Sequence, residues 1–298
     1  MTAIVSREPS LARRLFDRIE PVHAVTYFAH EARAALDGLG FRGFFMGYFA
    51  AQSAPFGVVP AEVVAAAFYN FTPERVARSL AGAWSVATPA DALQARERSA
   101  VAALRRCGVG DDEARAAGDL AMKAITGADL GGRALFAANR ALDWPEEPVA
   151  RLWHAATLIR EHRGDGHIAV LTASGVSGRE CNVLHAAAQR VPEDMIRRSR
   201  DYDDAQWQFH QDALRRRGLL DAAGELTEAG RDLKQHIEDT TDALALPALA
   251  ALTDDEVETL FRTLTPITRK VVAAGDVPDA TPMGLSRDDL DDDSARLG

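Results

Sequence analysis

Between Trp153 and Leu171 the chain reads WHAATLIREHRGDGHIAVL, and within eight residues it sets down Arg160, Glu161, His162, Arg163, Asp165 and His167. These types at this spacing suit proton transfer. His167 is the candidate general base, and Asp165 or Glu161 would orient its imidazole. Arg160 or Arg163 would bind an anionic group or a developing oxyanion. The chemistry would be of lyase, isomerase or hydrolase type and would need no cofactor. The same groups also read as a buried ion-pair network that locks two helices, with Glu238, Asp239 or Asp242 of IEDTTDALALP as partners.

A second concentration of residues is apolar. Phe41, Phe44, Phe45, Met46, Tyr48, Phe49, Phe56, Phe68, Tyr69 and Phe71 fall within 31 positions. Such a run is either core or the wall of a cavity with a few polar handles, the usual form of a small-molecule site. As ligand-binding candidates it offers Phe45, Tyr48, Phe49, Gln52, Tyr69 and Asn70, beside Arg160 and Arg163. The ligand expected is apolar or aromatic with an anionic group. No metal is expected, because His30-Glu31 and the pair His162 and His167 lack a ligating spacing, and Cys107 and Cys181 are 74 positions apart.

The elements that must position these groups come in two similar runs. Glu20-Pro21-Val22 matches Glu147-Pro148-Val149, Arg42-Gly43 matches Arg163-Gly164, Pro73 matches Pro192, and ALRRCGV matches ALRRRGL. The division is an N-terminal extension over 1–19, a first repeat over 20–146, a second over 147–274, and an acidic, disordered tail over 275–298. In the second repeat a helix from Val149 ends at Gly164 and Gly166, leaving Asp165 on a turn and His167 at the start of the next helix. Helices follow over 178–189, from Pro192, and from Asp203 to Arg217. GLLDAAGELT then reads as a hairpin, with Thr227 capping the next helix. That order is a winged helix. The fold expected is mainly α: two degenerate winged-helix-like repeats in tandem, with a small β-hairpin wing in the second.

Charge argues against nucleic acid. The net charge is −10, of which the seven Asp and two Arg beyond Gly275 carry −5. The DNA-facing helix would begin with Asp203 and Asp204, and the wing has no Lys or Arg, so few phosphates would be neutralised. DNA binding is therefore unlikely on composition. No apolar run approaches the ~18 residues of a membrane span. Two cysteines and no export signal point to the cytoplasm. A homodimer remains open.

The quoted segments, with APFGVVPAEVVAAAFYNFTPERV and the late PMGL, resemble the actinobacterial SalK-type helix-turn-helix family over about Glu20 to Leu285. The resemblance implies an actinobacterial cytoplasmic protein, often near specialised metabolism. It transfers no catalytic residue. Two readings follow: a small-molecule-binding protein on a repurposed helical scaffold, with acid–base enzymatic capacity, or a ligand-responsive regulator that binds DNA through the second repeat.

Overall fold

A computed structural model describes residues 7–189, 191–279, 281, 283 and 285–297. Residues 1–6 of the N-terminal extension, and Pro282 and Gly284 of the PMGL segment, lie outside them. The first run of helices is α1 (Ser10–Phe28), α2 (His30–Gly38), α3 (Gly43–Ser53), α4 (Ala61–Ala67), α5 (Pro73–Leu80), α6 (Ala83–Val86), α7 (Pro89–Arg106) and α8 (Asp111–Thr126). Next, α9 (Ala134–Arg140) leads to α10 (Pro148–Ala173). The chain continues through α11 (Gly178–Ala187), α12 (Glu193–Ser199), α13 (Asp204–Arg216), α14 (Glu228–Ala245) and α15 (Asp254–Ala273).

The central element is α10. Glu147 caps its N-terminus and Pro148 occupies the first turn, where a missing N–H costs nothing. Its apolar residues Leu152, Trp153, Ala155, Ala156, Leu158 and Ile159 are buried in one core with residues of α1, α7 and α8. Close approach to α8 depends on Gly118, where a Cβ would come within 3.2 Å of the Leu152 backbone. A second core gathers α11 to α14 around Leu184, Ile196, Trp207 and Leu214. Two smaller cores hold the aromatic run of α3 and its neighbours.

Three expectations are corrected here. Among the described residues there is no β-strand, so the hairpin wing is absent and the winged-helix order fails with it. Only an isolated antiparallel bridge joins Leu220 to Leu226. The cause is local: the Asp221 carboxylate accepts from the Glu225 N–H, and Thr227 already caps α14, which leaves one apolar residue on the returning side. Secondly, α10 runs unbroken past Gly164 and Gly166. Gly166 keeps a close passage open, since a Cβ there would lie 2.8 Å from Arg133 Nη1. Through that passage Arg133 donates to the His162 carbonyl. Thirdly, described residues of the acidic tail, Asp289 and Asp292, lie against α1. Arg18 is fully buried and donates to the carbonyls of Asp289 at 2.9 Å and Asp292 at 2.7 Å, while Arg14 pairs with Asp289 at 2.5 Å. A charged segment that reads as solvated finds its counter-charges on one face of α1.

No single described helix is long and apolar enough to cross a membrane.

Candidate functional site

A cavity of about 340 Å³ lies where α1, α3 and α10 meet the turn after α12. Its apolar side comes from Phe44, Phe45 and Tyr48 of α3 and from Phe68 to Phe71 after α4. Its polar side comes from Arg160, Glu161, Asp165 and His167 of α10. Tyr69 and Asn70 join the lining, whereas Phe49 and Gln52 do not, being 0% and 3% exposed on the inner face of α3. A larger and more open cleft of about 850 Å³ adjoins it and shares Glu238, but its lining is mostly charged surface.

The rings of α3 hold one another by edge contacts. Phe45, Tyr48 and Phe49 all meet Phe71, with centroids 6.0, 5.9 and 4.9 Å away. The wall is therefore preformed.

On the polar side, Arg160 reaches Glu161 at 2.8 Å and Glu20 of α1 at 3.3 Å. Glu20 has no exposure, and its second oxygen has no partner among the described residues. Burial pushes its carboxyl up to about 7, against the pull of Arg160. For Arg160 itself burial works against the charge, but Glu161, Tyr27 and Glu20 outweigh it and hold the guanidinium firmly protonated. Arg163 is likewise met, by Asp242 at 2.8 Å and Glu238 at 3.3 Å, and lies 4.3 Å over the Phe16 ring. Both arginines read as anion-binding candidates thus already carry internal counter-ions.

Asp165 and His167 do not form a dyad. Asp165 accepts from the Phe136 N–H at 2.9 Å and so holds the first turn of α9. Burial raises its carboxyl to about 6. His167 Nδ1 lies 3.0 Å from the Thr241 hydroxyl, whose own hydrogen goes to the Ile237 carbonyl at 2.7 Å. Thr241 therefore accepts from Nδ1–H, and His167 keeps its lone pair on Nε2. Burial pulls this imidazole down to about 4, opposed by nearby Glu238.

A second polar relay has no forerunner in the sequence reading. Thr157 donates to the Trp153 carbonyl at 2.9 Å and so accepts from His23 Nδ1–H at 2.9 Å. His23 Nε2 then accepts from the hydroxyl of Tyr27, a lining residue, at 2.7 Å. Burial holds His23 well below its ordinary range and Tyr27 well above its own. The available signal was the spacing of Glu20, His23 and Tyr27, which stand three and four residues apart on one face of α1.

The arrangement can enclose an aromatic molecule and present neutral His167 Nε2 and a neutral tyrosine to it. Among the described residues no group of His, Cys, Asp and Glu is placed to hold a metal ion.

No curated protein and no solved structure matches the chain. A family model described as a helix-turn-helix family matches residues 12–278. With nearly its whole length matched, the chain belongs to this helix-turn-helix family.

Proposed function

We propose that the protein binds a small aromatic molecule in the cavity between α3 and α10, on a helical scaffold repurposed for ligand binding. The observation that carries this reading is the cavity itself, with preformed aromatic rings on one side and buried, hydrogen-bonded polar groups on the other. His167 Nε2 is the basic atom best placed for acid–base chemistry on such a ligand, with Thr241 as the group that orients it. The resemblance to actinobacterial SalK-type proteins adds cytoplasmic specialised metabolism as the expected setting.

The test is a fluorescence titration with N-phenyl-1-naphthylamine, a neutral aromatic probe. One equivalent should bind, and Ile168→Trp, which fills the cavity from α10, should abolish binding while leaving the melting temperature within a few degrees. No binding by the wild-type chain would contradict the reading.

Family membership supports a second reading, a ligand-responsive regulator that contacts DNA through α12 and α13. Against strong binding, α13 opens with Asp203 and Asp204, and Arg197 is paired to Asp204. An electrophoretic shift on upstream DNA at ~100 mM salt separates the readings, because weak non-specific binding is lost there.

A further inference from the structure

Arg200 stands in the turn between α12 and α13 and lines the cavity, yet among the described residues no carboxylate is paired with it. Its neighbours are spent elsewhere. Asp201 pairs with Arg75 and Arg78, both at 2.6 Å. Glu20 and Glu161 serve Arg160, and Glu238 and Asp242 serve Arg163. The ionisable groups that act most strongly on Arg200 are Tyr48, Tyr202, Arg75 and Cys181, none of them a carboxylate. The guanidinium lies 4.0 Å from the centroid of the Phe71 ring, and its buried Nε has no acceptor.

A half-buried cation without a counter-ion is costly, and the chain supplies counter-ions to both other arginines of the cavity. Arg200 is also held in place. Asp201 has a left-handed φ of 52°, and its two ion pairs to α5 fix the turn from outside. Tyr48 lines the same cavity, and burial pushes its phenol up so that its hydroxyl keeps a hydrogen to donate.

We propose that Arg200 is the anion-binding group of the cavity, taking the carboxylate or sulfonate of an aromatic acid whose ring lies against Phe71 and Tyr48. The guanidinium fork suits a planar or trigonal oxyanion, and the Tyr48 hydroxyl supplies a further donor. This deepens the ligand-binding reading and rests on it. It also places the ligand's charge on the turn between α12 and α13, and not on Arg160 or Arg163.

The test compares two probes of similar shape on the full chain, neutral N-phenyl-1-naphthylamine and anionic 8-anilinonaphthalene-1-sulfonate. The wild type should bind the anion at least tenfold more tightly, one per chain. Arg200→Met should remove that preference while neutral-probe affinity stays within threefold, which also shows that the variant is folded. Arg216→Met, at an exposed arginine on the end of α13, should change neither affinity. Equal affinities in the wild type, or a preference that survives Arg200→Met, would overturn the proposal while the cavity reading stands. Failure of both probes would overturn both.

Discussion

The Tyr27 hydroxyl lies 2.7 Å from Nε2 of His23 and donates to it, because His23 spends its own hydrogen on Thr157. Tyr27→Phe therefore leaves a fully buried ring nitrogen without a donor. Such a loss costs about 1–3 kcal/mol. Urea unfolding should show it, and a change below about 0.5 kcal/mol would mean that the relay contributes nothing to stability.

Glu20 is raised from its ordinary 4.5 to about 7 by burial. The native chain then holds a proton that the unfolded chain has released, so this group's contribution to stability is complete below pH 4.5 and is lost as pH rises through 7. Glu20→Gln removes the dependence. Between pH 5 and 8 the variant should gain on the wild type by an amount on the order of 3 kcal/mol, at about 1.4 kcal/mol per tenfold change. Parallel stability curves for the two proteins would contradict this.

His154, His162 and His167 are each pulled down to about 4 by burial. Here the sign is opposite. The unfolded chain binds these protons first, so stability is complete above pH 6.5 and is lost as pH falls toward 4. Ring-proton NMR should show that the imidazoles of His154, His162 and His167 do not titrate above about pH 5. A midpoint near 6.5 for His167 would contradict its burial as a neutral ring held by Thr241.

Two glycine substitutions should act in opposite directions. At Gly178 a Cβ would stand 1.8 Å from the Tyr69 carbonyl oxygen, which is backbone and cannot yield cheaply. Gly178→Ala should cost about 3 kcal/mol or more. At Gly164, inside α10, the nearest atoms would be 3.7 Å away. Gly164→Ala should stabilise by roughly 1 kcal/mol, the helical advantage of alanine. Thermal unfolding midpoints check both.

Both sides of the cavity were legible in the sequence because each is concentrated on one short segment: the rings around Tyr48 and the charges between Arg160 and His167. What was not legible depends on helix crossings. Glu20, His23 and Tyr27 matter only because α1 lies across α10, and Arg200 only because the turn after α12 reaches the same space. Asp165 and His167 look like a pair along the chain. On a continuous helix two residues apart they point different ways, to Phe136 and to Thr241. Local rules for Gly164 and Gly166 gave way to packing, and the hairpin signature of Asp221 to Gly224 gave way to a turn closed by the Asp221 carboxylate, with only Leu226 before the expected Thr227 cap.

Nuclear Overhauser contacts from bound N-phenyl-1-naphthylamine report occupancy of the cavity. Contacts to ring protons of Phe45, Tyr48 and Phe71 are predicted. Contacts confined to exposed apolar side chains such as Phe209, which is 64% exposed, or Val58, at 69%, would place the probe outside the cavity and contradict the central claim.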